Sequence, residues 1–203
     1  MVEKTQAPGR PRSGSDTRAR ILAAASELFY AQGIRATSAD RIIEDVGTTK
    51  VTFYRHFRTK SDLVVAYLEM QAAAERAFLE SLRVEGDPAR SLHNVATGIG
   101  TASCLPGFRG CAFINAASEY PDPEDPVRVA VDAHRRWTLD FFAGIVRETG
   151  IKDVDSAARQ LLLLRDGAMV NGYLGQPETV AASLSAAFDA VIAPHAGSAG
   201  GAG

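Results

Sequence analysis

The amino-acid sequence predicts an all-α protein. Apolar residues recur along the chain at spacings of three and four, which places them on one face of a helix. No stretch shows the strict alternation of apolar and polar residues that is typical of a half-buried strand. Breaks rich in glycine and proline, such as those at 86–87 and 121–123, separate the helical patterns. We therefore expect a series of helices joined by short loops.

The first 14 residues are polar and rich in proline, glycine and basic side chains, which predicts a disordered basic arm over residues 1–14. Within this arm, Arg10 and Arg12 belong to a GRPR tetrapeptide that resembles the core of an AT-hook. Such an arm inserts arginines into a narrow minor groove. The other interpretation, a basic tail that is merely solvated, stays open. The segment has no apolar core and does not look like a secretory signal.

The next pattern predicts a helix from about Asp16 to Gln32. It carries a single apolar stripe and is followed by Gly33, a residue that commonly ends a helix. We expect this helix to act as a scaffold for the two helices that follow. Its stripe consists of Ile21, Leu22, Ala25, Leu28 and Phe29.

Residues 37–60, TSADRIIEDVGTTKVTFYRHFRTK, contain two short helical patterns on either side of Gly47. Thr37 or Ser38 is suited to cap the first helix, and Thr49 the second, because a short hydroxyl side chain accepts from an unpaired helix amide. Glycine adopts the left-handed backbone that such a reversal requires. This arrangement predicts a helix-turn-helix.

The second of these helices has an apolar inner face, formed by Phe53 and Phe57, and a polar outer face. Hydroxyls, cations and a phenol suit phosphate oxygens and base edges better than they suit packing on protein. We therefore predict that this outer face contacts DNA. Its residues are Lys50, Val51, Thr52, Tyr54, Arg55 and His56.

The wider stretch 17–68 resembles the DNA-binding domain of the TetR family of bacterial transcriptional regulators. The resemblance is carried by TRARILAAASELFYAQGIRATS and DRIIEDVGTTKVTFYRHFRTKSDLV, and the closing FYRHFRTKSDL is its most specific part. The resemblance implies base contacts by Lys50, Val51 and Thr52. It also implies backbone contacts by Tyr54, His56 and Lys60, and phosphate contacts where the first motif helix starts, at Thr37 and Ser38.

Three positions depart from the pattern of that family: Asp40, Val51, which replaces a common glycine, and Thr48, where a small aliphatic residue usually fills the turn. Asp40 is acidic where members often carry a base-reading arginine, so base readout from this helix is not expected on the resemblance alone.

A long helix, capped by Ser61 and running to about Arg83, follows the motif and is long enough to join two domains. We predict a helix-turn-helix DNA-binding domain over residues 15–68, a ligand-binding and dimerisation domain over 69–195 and a flexible tail over 196–203. The helices expected in the second domain span about 88–103, 111–120, 124–149, 154–175 and 177–192.

A homodimer interface is predicted on the last two of these helices. Both are apolar beyond a single stripe, at residues 161–164 and at Val180, Leu184, Ala187, Phe188 and Val191. A second apolar surface must be buried, and a two-fold partner is a common way to do so. The resemblance implies the same helices. An interior position for both helices is the alternative.

A small-molecule effector pocket is expected among aromatic and polar residues of the second domain, because ligand sites combine apolar walls with a few polar anchors. A protein core has the same composition, so each residue also has a plain core interpretation. The candidates are Phe108, Phe113, Asn115, Glu119, Tyr120, His134, Trp137, Phe141 and Met169, with Arg109 and Phe142 beside them.

The charge distribution supports contact with a polyanion at one end of the chain. Residues 1–60 hold 11 Lys and Arg against 6 Asp and Glu, a balance of +5; the remaining 11 basic and 18 acidic residues give −7. The basic part is the part that contains the motif, which fits an electrostatic footprint confined to one domain. We expect a partner that is double-stranded DNA with a palindromic operator.

Other functional classes are disfavoured. No apolar run is long enough for a membrane span, so we expect no membrane partner and a cytoplasmic protein. The four histidines lack metal-ligand spacing, and no phosphate loop or nucleophile elbow is present; we therefore expect no metal, no cofactor and no enzymatic activity. Two alternatives remain: a thiol-based regulator that uses Cys104 and Cys111, and an architectural protein that binds A·T-rich DNA.

Overall fold

A computed structural model describes residues 14–193, which form nine α-helices and no β-strand. The predicted all-α fold is therefore confirmed. The arm with Arg10 and Arg12 and the tail 196–203 lie outside the described residues. The helices are α1 (Gly14–Gln32), α2 (Ala39–Val46), α3 (Lys50–His56), α4 (Lys60–Leu82), α5 (Pro88–Ser103), α6 (Ala112–Glu119), α7 (Pro126–Arg147), α8 (Val154–Leu174) and α9 (Pro177–Ile192).

The chain divides into two compact units, with the division between Tyr67 and Leu68. In the first unit, α1, α2 and α3 pack on one another and enclose a small core together with the start of α4. This core buries the predicted inner faces of all three helices, including Ile21, Phe29, Ile42, Phe53 and Phe57.

The start of α4 differs from the prediction. Ser61 is not its cap, because the helix begins at Lys60 and Thr59 precedes it. The Thr59 hydroxyl accepts a hydrogen bond from the Asp62 amide at 3.0 Å, and the Asp62 carboxylate accepts one from the Thr59 amide at 3.0 Å. This reciprocal pair satisfies the amides of Thr59 and Asp62 at the helix start, so Thr59 is the N-terminal cap.

The second unit is built on α5, α7, α8 and α9, and its core includes Leu92, Phe142, Leu161 and Phe188. Helix α5 approaches α9 so closely that a Cβ atom on Gly100 would lie 2.5 Å from the Cβ of Ala181. The bounds predicted for α5 and α9 are confirmed.

The other helices of this unit are one to four residues shorter than predicted. Asp125 sets the start of α7, because its side chain accepts from the Val127 amide at 2.8 Å and Pro126 occupies the first helical turn. Cys111 and Tyr120 flank α6 as its end positions rather than belonging to it. None of the helices between residues 14 and 193 is both long and apolar enough to cross a membrane.

Candidate nucleic-acid interface and effector cavity

The N-terminal ends of α2 and α3 are each capped by a hydroxyl side chain, and a left-handed glycine joins the two helices. Ser38 accepts from the Arg41 amide at 3.1 Å, and Thr49 accepts from the Thr52 amide at 3.2 Å. Between them Gly47 has a φ of 66°, and its amide donates to the Glu44 carbonyl at 3.1 Å. The local sequence thus directs α3 away from α2 through a left-handed glycine, as the motif predicted.

Two arginines of α1 contact the C-terminal ends of α2 and α3. Arg20 donates to the Val46 carbonyl at 2.5 Å, one of the carbonyls left free at the end of α2. The Arg18 guanidinium lies 4.8 Å from the centre of the Phe57 ring, within cation–π distance. These contacts help to hold α2 and α3 in a fixed arrangement on α1.

The outer face of α3 is left open by this packing. Val51 is 80% exposed and Tyr54 is 45% exposed, whereas Phe53 between them is fully buried. Lys50 and Arg55 are exposed as well. The helix therefore presents a cationic and partly apolar face.

Thr52 and His56 are half-buried on the same helix. The Thr52 hydroxyl accepts from the Thr49 hydroxyl at 3.0 Å, so it forms part of the cap. His56 Nε2 is buried, and no hydrogen-bond partner for it is found among the described residues.

Two residues expected at the DNA backbone, Thr37 and Lys60, have partners within the protein. Thr37 is only 1% exposed, and its hydroxyl donates to the Gly33 carbonyl at 2.9 Å. The Lys60 ammonium donates to the Ile34 carbonyl at 2.6 Å and lies 6.0 Å from the centre of the Phe29 ring. Because its hydroxyl is turned into the protein, Thr37 is not retained among the proposed DNA contacts.

In the second unit, four of the predicted pocket residues form a packed aromatic stack rather than a pocket wall. Phe113 lies flat on His134 with ring centres 3.6 Å apart, and Trp137 follows at 6.4 Å from His134 and 5.6 Å from Phe141. His134 is 3% exposed. The core interpretation describes these rings better than the ligand interpretation does.

The remaining predicted pocket residues lie around α6. Asn115 donates to the Arg109 carbonyl at 2.9 Å and so closes the loop before that helix. Phe108, Glu119 and Tyr120 are half-buried, and none of them lines a cavity described below.

A cavity of about 280 Å³ lies instead between α4, α5 and α8. Met169 is the one predicted pocket residue that lines it. Its walls are mostly apolar, with two charged side chains, and consist of Gln71, Ala74, Glu75, Phe78, Leu79, Ile99, Ala102, Arg165 and Met169.

Glu75 and Arg165 form the charged wall of this cavity and were missed in the sequence. Arg165 is buried and bonds to both Glu75 and Asp166, while His134 Nε2 lies 3.3 Å from the second oxygen of Glu75. The available signal was a charged residue within the apolar run LLLLRDGAM of α8. A buried arginine requires acidic partners, and the run itself supplies Asp166; the second partner, Glu75, comes from another helix.

The charges of this cluster are mutually stabilised. Burial by itself would raise the pKa of Glu75, but hydrogen bonding with His134 and the charge of Arg165 outweigh it, so the pKa is lowered. Burial would likewise lower the pKa of Arg165, yet interactions with Cys111 and Glu75 raise it above the usual arginine range. Both groups are therefore charged at neutral pH.

Helix α8 exposes large apolar side chains beside α9. Leu163 is 68% exposed and Leu174 is 75% exposed. The α9 residues Val180, Leu184 and Phe188, which were predicted to need a partner subunit, are instead buried in the core of the same chain. A groove of about 380 Å³ runs between the two helices beside Leu163, with Gly167, Ser183 and Ala187 among its lining residues.

The two cysteines differ in accessibility. Cys104 is exposed and Cys111 is buried, and they do not form a disulfide. No group of three or more metal-ligating side chains comes together within residues 14–193.

A helix-turn-helix whose second helix exposes a cationic face is typical of DNA-binding proteins. Comparison with known proteins specifies the family. Residues 21–67 match the family model described as bacterial regulatory proteins, tetR family.

The match extends beyond that domain. The probable HTH-type transcriptional regulator ArpR of Pseudomonas putida is 36% identical over 191 residues, covering 89% of this chain and 88% of ArpR. The HTH-type transcriptional regulator LmrA of Bacillus subtilis (strain 168) is 28% identical over 80% of this chain and 87% of its own.

A solved structure gives the same result. SCO4454, a TetR-family transcriptional regulator from Streptomyces coelicolor, superposes with a TM-score of 0.83 at 41% identity, covering 88% of this chain and 95% of that one. The chain belongs to the TetR family and is a DNA-binding transcriptional regulator.

Proposed function

We propose that this regulator is a ligand-responsive homodimeric repressor that acts in the cytoplasm and binds a palindromic operator. Residues 15–68 would bind DNA, and residues 69–195 would bind the effector and the second subunit. The observation that carries the proposal is the open outer face of α3, which the packing of the first unit leaves free.

The recognition helix offers a distinct contact from each exposed side chain. The Lys50 ammonium and the Arg55 guanidinium suit guanine acceptors or phosphates, and the Tyr54 hydroxyl suits a phosphate. Val51 is a large apolar side chain at 80% exposure, and a thymine methyl group is an apolar partner available in the major groove. Ser38, Thr49, Thr52, His56 and Lys60 would support these contacts from the edges of the motif.

The α8–α9 face is the proposed dimer interface. Leu163 and Leu174 would expose apolar surface to water in a monomer, which a two-fold related copy would bury. Two recognition helices then read half-sites about 34–36 Å apart, or a multiple of that distance.

The effector site is proposed in the cavity between α4, α5 and α8 rather than among the rings of the α6–α7 stack. Its apolar walls and the Glu75–Arg165 pair give the composition of a small-molecule site. Helix α4 contributes Gln71, Glu75 and Phe78 to this cavity and continues from the helix-turn-helix. A ligand that favours a different placement of α4 lowers DNA affinity by its differential affinity for the two states.

Selection from random DNA duplexes with the full-length protein at two salt concentrations tests the proposal. We expect an inverted-repeat consensus, because two identical recognition helices read two identical half-sites. Recovery of loosely A·T-rich sequences, with affinity that collapses in salt, would contradict it and favour the architectural alternative.

The selected duplex then serves as the probe for the effector. A library of small apolar compounds with a polar group is screened for release of this duplex, and hits are compared on the parent and on Ile99→Trp, which fills the cavity. Release that persists unchanged in Ile99→Trp would place the effector elsewhere.

A further inference from the structure

Asp40 and Lys50 form an ion pair between the two helices of the motif. The Lys50 ammonium lies 2.8 Å from one carboxylate oxygen of Asp40 and 3.1 Å from the other. Both side chains are 66% exposed, so the pair stands on the surface. The hydrogen bond to Asp40 raises the pKa of Lys50, and the ammonium therefore remains charged.

An exposed ion pair of this kind adds little to stability, so its position matters more than its strength. Lys50 is the first residue of the recognition helix, and the N-terminal residues of such helices contact base edges. The Asp40 carboxylate is therefore held within 3 Å of a group that is proposed to read a base. An ammonium has three donors, and a carboxylate has about four acceptor sites, so both retain bonding capacity after they pair.

The major-groove edge of a base pair carries a matching arrangement. In a G·C pair, guanine O6 accepts and cytosine N4 donates, and the two atoms lie about 2.9 Å apart because they bond to each other. The Lys50 and Asp40 atoms present a donor and an acceptor at 2.8 Å. A donor above O6 and an acceptor above N4 complement both bases of one pair simultaneously.

We propose that Asp40 and Lys50 act as one specificity-determining unit that reads a single base pair, with Lys50 donating to guanine and Asp40 accepting from the paired cytosine. This inference rests on the proposed placement of α3 in the major groove. It makes Asp40 a reader of DNA and not simply a negative charge near the phosphates.

The Asp40–Lys50 unit distinguishes a base pair from the same pair with its two strands exchanged. With Lys50 facing one strand and Asp40 the other, the pair fits a base that accepts on the first strand and a base that donates on the second. Guanine meets this condition best, since N7 gives Lys50 a second acceptor, and thymine opposite adenine meets it in part. With cytosine or adenine on the first strand, the amino group of that base would face the Lys50 donor, and the carbonyl oxygen of its partner base would face the Asp40 acceptor.

The test measures binding of the full-length protein to its selected duplex with all four base pairs substituted at every position of the half-site. The proteins compared are the parent, Asp40→Ala, Lys50→Ala, the double variant and Asp40→Asn. Glu44→Ala is the matched control, because Glu44 is an exposed acid of the same helix whose partner is Arg41 of α2. Thermal unfolding verifies that each variant folds.

We expect one position at which the parent prefers guanine, with thymine second, over cytosine and adenine by roughly 5- to 140-fold, the range of a good paired contact. Asp40→Ala and Lys50→Ala should each flatten this preference, and the double variant should flatten it no further, because the two groups act together. Glu44→Ala should leave the profile unchanged.

Three results would overturn the inference. If Asp40→Ala and Asp40→Asn raise affinity for all duplexes alike and keep the preference, Asp40 is only a repulsive charge. If the losses of the single variants add in the double variant, the two residues read independently. If the parent selects an inverted repeat but Lys50→Ala alters the base preference at no position, the regulator function stands. The proposed placement of α3 in the major groove would then be wrong.

Discussion

Glu75 is central to the cavity proposed as the effector site, because it bonds to Arg165 of α8 and lies 3.3 Å from His134 of α7. Its carboxylate is a wall of the cavity and its charge neutralises a buried guanidinium. Neither role could be assigned from the sequence, in which Glu75 is one acidic residue of a long amphipathic helix. The buried partner on α8 is what distinguishes it.

Replacing this carboxylate with an amide should destabilise the fold in a pH-dependent manner. We expect Glu75→Gln to lower the free energy of unfolding at pH 7 by on the order of 3 kcal/mol, because Arg165 loses a charged partner while it remains buried. The pKa of Glu75 is lowered on folding from an ordinary value of 4.5, so the ionised carboxylate stabilises the protein above that value. The stabilisation is lost as the pH falls through the lowered pKa, below 4.5.

Urea denaturation of the parent and Glu75→Gln between pH 7 and pH 3 measures this difference. Glu80→Gln is the matched control, since Glu80 is an exposed acid of the same helix, and it should stay within about 0.5 kcal/mol of the parent. A difference between parent and Glu75→Gln that is constant across the whole pH range would show that the charge of Glu75 does not stabilise the fold.

The contact between α5 and α9 depends on the absence of a side chain at one position. Gly100 faces the backbone of Ala181 on α9, where a Cβ atom would lie 2.8 Å from the Ala181 nitrogen. Gly98, two residues earlier on the same helix, faces the ends of the Phe78 and Leu82 side chains. The two glycines look alike in the sequence, and only the packing of the helices separates their roles.

We therefore expect opposite outcomes for two alanine substitutions in α5. Gly100→Ala should cost about 1–3 kcal/mol, because α9 must move away to admit the methyl group. Gly98→Ala should be near neutral or stabilising by up to about 1 kcal/mol, since the Phe78 ring is able to move aside and alanine favours a helix. Thermal or urea unfolding of both variants checks this, and equal losses would contradict the close approach of α5 and α9.

The homodimer proposed above would form through the exposed apolar side chains of α8 beside α9. A charge introduced within that surface is costly to bury in a dimer, whereas a charge on another exposed apolar site is not. Leu163 lies beside the groove between the two helices, and Val129 is an exposed apolar residue of α7.

We expect Leu163→Glu to sediment as a monomer at micromolar concentration, where the parent sediments as a dimer. Its affinity for a two-half-site duplex should fall to that of a single half-site, because the second recognition helix is no longer linked to the first. Val129→Glu is the control and should remain dimeric with parental affinity. A dimer that survives Leu163→Glu would exclude this surface as the interface.

The sequence is sufficient to predict the helical class, the helix bounds to within one or two residues and the helix-turn-helix. Those features depend on local signals: the three- and four-residue periodicity, the hydroxyl caps at Ser38 and Thr49, and the glycine at position 47. Even the inner and outer faces of α3 follow from residue spacing alone. The error at the start of α4, where Thr59 and not Ser61 is the cap, was a choice between two neighbouring hydroxyl residues.

The contacts between side chains from distant segments could not be predicted from the sequence. Aromatic rings of α6 and α7 look like pocket residues in the sequence, yet Phe113, His134 and Trp137 stack on one another. The cavity and its charged wall lie elsewhere because Glu75 and Arg165, 90 residues apart, come together across two helices. Burial and pairing of this kind depend on the packing of helices in three dimensions, which no local pattern of residues encodes.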